Sequence, residues 1–154
     1  MALADNHTLN SETGTNTLFP TRTIGKAASL VSAYGLLRLI PFCIAIGDID
    51  YFKSINDSYG HTCGDAVLKN VAGCLKNHMR DKGFVARWGG EEFLFVYENR
   101  DLESAHAALE ELISDIRQLI TPYDGAQIKI TMTFGLAAGY HQDVSQLLTD
   151  ADQK

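Results

Sequence analysis

The run Ala86-Arg87-Trp88-Gly89-Gly90-Glu91-Glu92-Phe93 sets two glycines directly before two carboxylates, with Leu94-Phe95-Val96-Tyr97 continuing as an apolar stretch. Paired glycines between β-rich flanks predict a hairpin with a tight turn at its tip. A tip bare of side chains admits a bulky ligand to the backbone, and adjacent carboxylates offer hard oxygen donors to a cation. A second acidic cluster, Asp48-Ile49-Asp50-Tyr51-Phe52-Lys53, ends another strand-like run. Gly-Gly-Glu-Glu alone is an ordinary polar turn. Paired with the Asp48 cluster, it points to Mg²⁺ and a phosphorylated substrate.

Asp48 follows a buried strand, so its carboxylate is held at the sheet edge, where a desolvated anion needs a partner. A salt bridge or a helix cap would satisfy one aspartate. Asp48, Asp50, Glu91 and Glu92 crowded together would instead require a divalent cation, and Mg²⁺ uses one or two carboxylates plus phosphate oxygens. Tyr51-Phe52-Lys53 can present successive backbone amides to phosphates, with Lys53 as an added point charge or simply a solvated surface lysine. Asp65 can accept from the guanine N1–H and N2–H, and Asn56 can donate to its O6. Turn formation explains Asn56 equally well, and helix capping explains Asp65. His61 beside Gly60 reads first as a turn residue and second as a ligand contact.

The elements that must position these residues follow from periodicity. Residues 1–16 are polar, rich in Asn and Thr and aperiodic, which predicts a flexible tail or linker. Helical spacing runs from Thr23 to Leu39 and stops at Pro41. Phe42 to Gly47 reads as a strand buried on both faces. A polar turn around Asp57–His61 leads to a helix from Gly64–Asp65 to Met79, with Val67, Leu68, Val71, Cys74 and Leu75 as its buried stripe. Phe84–Arg87 and Phe93–Tyr97 form the hairpin. Asp101 caps a helix whose stripe is Ala105, Ala108, Leu109, Leu112, Ile113, Ile116 and Ile120. Gln127–Ala137 alternates as a strand, and a last helix starts near Asp143 or Val144. That order predicts an α/β sandwich with helices on a central mixed sheet.

Composition narrows the class. The chain has 154 residues, enough for one domain with a real core, and its net charge of −6 argues against a general nucleic-acid or membrane-surface binder. No run reaches the roughly 18–20 apolar residues that span a bilayer. Leu36–Gly47 is interrupted by Arg38 and Pro41, and the N-terminus lacks a signal-peptide pattern. Cys43, Cys63 and Cys74 have no metal-ligand spacing and read as reduced, mostly buried thiols of a cytosolic protein.

Asp48-Ile49-Asp50-Tyr51-Phe52-Lys53-Ser54-Ile55-Asn56-Asp57-Ser58-Tyr59-Gly60-His61-Thr62-Cys63-Gly64-Asp65 resembles the D-x-D-x-F-K-x-x-N-D-x-x-G-H-x-x-G-D signature of GGDEF-domain diguanylate cyclases. Arg87-Trp88-Gly89-Gly90-Glu91-Glu92-Phe93 resembles their R-Y-G-G-[DE]-E-F hairpin in its GGEEF variant, and Thr131-Met132-Thr133-Phe134-Gly135-Leu136-Ala137 their T-x-S-x-G-x-A strand. Thr17–Arg22 and Ala151-Asp152 are weaker echoes, so the likeness spans residues 17–154. It implies a palm-like, nucleotidyl-cyclase-type sandwich. It also implies Mg²⁺- or Mn²⁺-dependent conversion of two GTP to cyclic di-GMP and pyrophosphate across a homodimer. By position, Asp48, the Ile49 carbonyl and Glu91 would hold the metal, and Glu91 would take the 3′-hydroxyl proton. Lys53 would stabilise the transferring phosphoryl group. Phe52, Lys53, Asn56, His61, Asp65, Gly89 and Gly90 would contact GTP, supported by Asp50, Arg87 and Glu92. The resemblance also implies a cytoplasmic output domain behind an N-terminal sensory or transmembrane module, with no nucleic-acid or membrane contact of its own.

Two departures qualify these expectations. The family's A-K-x-x-G-R-N ending, whose Lys and Arg hold the terminal phosphate, lies beyond Lys154. The feedback motif R-x-x-D reads Arg80-Asp81-Lys82-Gly83, which keeps the arginine and lacks the acid. A GTP-binding regulatory module without turnover is therefore one alternative. Another nucleotidyl cyclase or a polymerase-like palm is a second.

Overall fold

Successive residues of a strand point to opposite sides of its sheet. In Phe42–Ile49 both sides are buried, with Phe42 and Ile44 in one apolar cluster and Cys43, Ala45 and Ile49 in another. The computed structural model describes residues 41–138, and there this run is strand β1 (Phe42–Ile49). After it come α1 (Phe52–Tyr59), α2 (His61–Met79), β2 (Gly83–Arg87), β3 (Glu92–Glu98) and α3 (Leu102–Gln118). The strands β4 (Ile120–Tyr123), β5 (Ala126–Lys129) and β6 (Met132–Ala138) complete the order. The main sheet runs β2-β3-β1-β6, and β4–β5 is a separate two-stranded hairpin.

The expected α/β layering is present. Among the described residues the pairing is antiparallel throughout where a mixed sheet is expected, β1 with both β3 and β6, and β2 with β3. The cause is placement of the β2–β3 hairpin, whose second arm docks beside β1 running the opposite way.

Helix α3 follows its predicted stripe, with Ala105, Ala108, Leu109, Leu112 and Ile116 buried. Asp101 caps it by accepting from the Ser104 amide at 2.9 Å. A cap contributes about 1 kcal/mol, whereas each fully buried Leu or Ile contributes about 1.5–3 kcal/mol, so packing holds this helix in place.

Three boundaries differ from expectation. Of the expected polar turn over Asp57–His61, residues 57–59 end α1 and His61 begins α2, three residues before Gly64, because Gly60, at φ 82°, breaks one helix and starts the next. Ile120 leaves the α3 stripe for β4 and is 41% exposed. The strand expected over Gln127–Ala137 is two strands, and β5 belongs to a hairpin closed by Asp124 (φ 45°) and Gly125 (φ 78°). Positive φ at both central residues is what a type I′ turn demands, and Asp-Gly supplies it. The expected tail, the helix over 23–39, the last helix and the two weaker echoes lie outside the described residues.

Candidate active site

One face of the sheet changes character at the end of β1. Ile44, Leu94, Val96 and Ala137 form an apolar cluster on that face, with Ile46 packed against it. Two residues further along, Asp48 stands in register with Glu92 on β3 and Thr133 on β6. The hairpin tip is tied to the same place, since the Ile49 amide donates to the Glu91 carbonyl at 3.3 Å. The structure thus brings Asp48, Ile49, Glu91 and Glu92 together, as the sequence predicts.

Asp48 is held above the usual carboxylate range, first by burial and then by the charges of Glu91, Glu92 and Asp50. Among the described residues no lysine or arginine pairs with Asp48, Glu91 or Glu92. Unpaired carboxylates gathered at one sheet edge are hard oxygen donors of the kind Mg²⁺ or Mn²⁺ accepts. Among the described residues no three acidic, His or Cys side chains converge as a complete cage, so remaining ligands would come from phosphate or water.

Asp50, the next acid along the chain, is held by Thr131 and Thr133. Its amide donates to the Thr131 carbonyl at 3.0 Å, and its carboxylate accepts from the hydroxyls of Thr131 and of Thr133, the latter at 2.7 Å. The sequence reading assigned these threonines no site role. Their signal was available: in an alternating run positions 131 and 133 share one face, opposite Met132 and Phe134. The next residue, Tyr51, sits in the left-handed region (φ 56°, ψ 26°) and starts α1 with its side chain 84% exposed. That conformation costs a non-glycine residue about 1–2 kcal/mol.

Helix geometry leaves the first-turn amides of α1, those of Phe52 and Lys53, without intrahelical acceptors. The Phe52 ring is buried in the core and Lys53 is exposed. On the same helix, Asn56 leans over α2. A Cβ built on Gly64 would stand 2.1 Å from the Asn56 Oδ1. Asp65 and His61 are both exposed in the first turns of α2, beside Asn56.

The hairpin tip is a four-residue connection, Trp88–Glu91, and not a two-residue glycine turn. Neither Gly89 nor Gly90 adopts the left-handed region that such a turn needs. A Cβ on Gly89 would lie 2.3 Å from the Glu92 Oε2, so a side chain there would push the end of Glu92 aside. Around Gly90 the space is open. The Trp88 and Gly89 amides both donate to the Glu92 carbonyl, at 2.8 and 3.3 Å. Arg87 closes the tip from below, its Nε donating to the carbonyls of Gly89 and Gly90 at 3.1 and 3.0 Å. Arg87 therefore braces the hairpin.

Arg80 and Gly83 lie at the far end of β2 from this tip. Arg80 ends α2 and donates to the Asn77 Oδ1 at 3.1 Å. Gly83 has φ 141°, and a Cβ there would stand 1.9 Å from the Val96 carbonyl oxygen. The backbone at position 83 accepts only glycine.

Comparison with known proteins bears on this geometry. Residues 37–154 match the family model described as diguanylate cyclase, GGDEF domain. Diguanylate cyclase A of Treponema denticola is 40% identical over 91 residues, which cover 59% of this chain and 24% of that protein. Diguanylate cyclase DgcP of Pseudomonas aeruginosa is 41% identical over 95 residues, 62% of this chain and 14% of that protein. The chain thus spans a quarter or less of the length of these two relatives. Among solved structures, the diguanylate cyclase SiaD of Pseudomonas aeruginosa, in complex with its activator SiaC, superposes with a TM-score of 0.79. It is 26% identical, and the match covers 84% of this chain and 51% of that one. The active GGEEF domain of a diguanylate cyclase from Vibrio cholerae gives a TM-score of 0.69 at 31% identity, covering 81% and 80%. With the family model covering most of the chain, and with the carboxylate edge and glycine hairpin in register, this protein belongs to the GGDEF-domain diguanylate cyclase family.

Proposed function

We propose that this domain is a diguanylate cyclase, condensing two GTP to cyclic di-GMP with release of two pyrophosphates. In a homodimer each protomer would hold one GTP, and each 3′-hydroxyl would attack the α-phosphate of the other, forming two P–O bonds and breaking two. The observation that carries this reading is the junction of Asp48 with the hairpin tip: the Ile49 amide donates to the Glu91 carbonyl, and, after burial, the charges of Glu91 and Glu92 help raise the Asp48 pKa. Asp48, the Ile49 carbonyl and Glu91 would hold Mg²⁺ or Mn²⁺, which when bound supplies charge neutralisation for phosphoryl transfer.

The chain's own groups divide the remaining work. Glu91 accepts the 3′-hydroxyl proton, and Lys53 stabilises charge on the transferring group. The Phe52 and Lys53 amides bind phosphate oxygens at the start of α1. The bare Gly89-Gly90 backbone lets the nucleotide lie against the hairpin that Arg87 and Glu92 hold. Asn56, its Oδ1 turned to α2, offers Nδ2 to guanine O6, while Asp65 accepts from N1–H and N2–H and His61 lies beside the nucleoside. Among the described residues no helix is long and apolar enough to cross a membrane. A cytoplasmic setting, where GTP is available, and an N-terminal sensory or membrane module complete the reading.

The test is incubation of the purified chain with GTP and Mg²⁺, with identification of the product. Cyclic di-GMP is expected, and Glu91→Gln should lower its formation by at least 100-fold, about 2.7 kcal/mol of transition-state stabilisation. Product in that variant within about tenfold of wild type would overturn the assignment of Glu91. GTP binding without product would make this an inactive regulatory module.

A further inference from the structure

We propose that Asp50 is a positioning residue, gripped by Thr131 and Thr133 so that the left-handed turn at Tyr51 holds α1 in fixed relation to Asp48. The proposal rests on the reading of the Asp48 edge as the catalytic end of the sheet, and it adds a role for three residues that would touch neither metal nor nucleotide.

Tyr51 joins two halves of the site. Before it lie Asp48 and the Ile49 carbonyl; after it lie Phe52, Lys53 and Asn56. A left-handed non-glycine residue persists only where its surroundings fix it. The Tyr51 side chain cannot do so, being 84% exposed, and no side chain caps α1. On the helix side the Tyr51 carbonyl accepts from the Ser54 and Ile55 amides at 2.9 and 3.3 Å. On the strand side the restraint is Asp50. Its amide bond to Thr131, its carboxylate bond to the Thr131 hydroxyl and its 2.7 Å bond from Thr133 pin three points of one residue to the start of β6 and the residue before it. Both oxygens of the carboxylate are engaged, Oδ2 by Thr131 just before β6 and Oδ1 by Thr133 within it, so Asp50 fits a bracket better than a metal ligand.

The two roles respond oppositely to one substitution. An asparagine keeps the bracket, because its oxygen accepts from one threonine and its NH₂ donates to the hydroxyl of the other. It removes the charge that a metal ligand needs. The test compares Asp50→Asn, Asp50→Ala and the Thr131→Val/Thr133→Val pair in the whole chain. The first readout is amide hydrogen exchange over residues 51–55 without nucleotide or metal. Exchange there should rise at least tenfold in Asp50→Ala and in the threonine pair, and stay within threefold of wild type in Asp50→Asn.

The second readout is the split between KM for GTP and kcat. Asp50→Ala and the threonine pair should lose at least tenfold in kcat/KM with unfolding midpoints close to wild type. Combining them should add little further, and Asp50→Asn should retain most activity. Unchanged exchange in the threonine pair would overturn the proposal, as would an Asp50→Asn variant as damaged as Asp50→Ala. If wild type makes no cyclic di-GMP, the exchange result still decides the bracket by itself. The threonine pair keeps the test open should Asp50→Ala fail to fold.

Discussion

The Asn56 side-chain oxygen occupies space that opens only because residue 64 is glycine: a Cβ there would stand 2.1 Å from it and 3.1 Å from the Phe52 ring. Gly64 lies within α2, where glycine costs about 1 kcal/mol relative to alanine. The helix gives up that stability and gains a seat for Asn56. Gly64→Ala should therefore leave the unfolding midpoint nearly unchanged while lowering GTP affinity about tenfold, the effect of one hydrogen bond lost near a charged ligand. Preference for GTP over ATP should fall with it. Calorimetric titration of both nucleotides decides the matter, and unchanged discrimination would separate Asn56 from guanine recognition.

Asp48 gives a second prediction, with its sign set by crowding. Burial and the neighbouring carboxylates raise its folded pKa above the unfolded value near 3.8. The folded state then binds the proton more tightly than the unfolded chain. Its favourable contribution is complete below the unfolded pKa and is lost as pH rises through the folded one. At neutral pH without divalent ions, Asp48→Asn should raise the unfolding midpoint, because it removes a strained charge. Mg²⁺ or Mn²⁺ should stabilise the wild type and leave Asp48→Asn nearly unmoved. A variant less stable than wild type in chelator would show that crowding at this edge is not unfavourable.

Much of this site is legible in the residue string, for identifiable reasons. The placement of Asp48, Glu91 and Glu92 at one edge is legible because strand ends and glycine pairs leave local marks: an apolar run before the acid, and missing side chains before the carboxylates. Asp101 was found because a cap is a local hydrogen bond. Thr131 and Thr133 were missed because their partner is Asp50, some eighty positions away in sequence, and only register brings them together. Gly89 makes a related point: the sequence shows a glycine pair at a hairpin tip, and only the placed side chains show that neither glycine is left-handed and that a Cβ on Gly89 would meet the end of Glu92. The β4–β5 hairpin has its signal in Asp124-Gly125, while the apolar stripe of α3 runs on in sequence to Ile120, which is the first residue of β4.

Gly83 changes what can be asked of the R-x-x-D position. With φ 141° and the Val96 carbonyl 1.9 Å from any Cβ, aspartate cannot be introduced there without moving the start of β2. Gly83→Asp and Gly83→Ala should both destabilise the domain by at least about 2 kcal/mol, from backbone strain plus overlap. Neither would restore a feedback site. Cyclic di-GMP should bind the wild type weakly at this end, and Arg80→Ala should change that binding little. Submicromolar binding abolished by Arg80→Ala would show that Arg80 suffices without an acid.

The last prediction concerns His78, far from the carboxylate edge. Its side chain is 4% exposed between α2 and α3, with Nδ1 3.9 Å from the Asp115 Oδ2 and Nε2 unpartnered among the described residues. Burial, followed by the positive charge of Lys82, lowers its pKa below the usual 6.5. Asp115, Glu111 and the Ala108 backbone oppose this without reversing it. The imidazole is therefore neutral in the fold at neutral pH, while the unfolded chain takes up a proton as pH falls past 6.5. The folded state binds fewer protons in that window, so this contribution to stability is complete above the unfolded pKa. It is lost as pH falls through the folded one. Urea midpoints should fall between pH 7.5 and 5 in the wild type, and the fall should be shallower in His78→Gln. The same profile in both would place the acid-side loss on other groups. A midpoint that rises on acidification would mean that the Asp115 and Glu111 carboxylates, and not burial, govern His78.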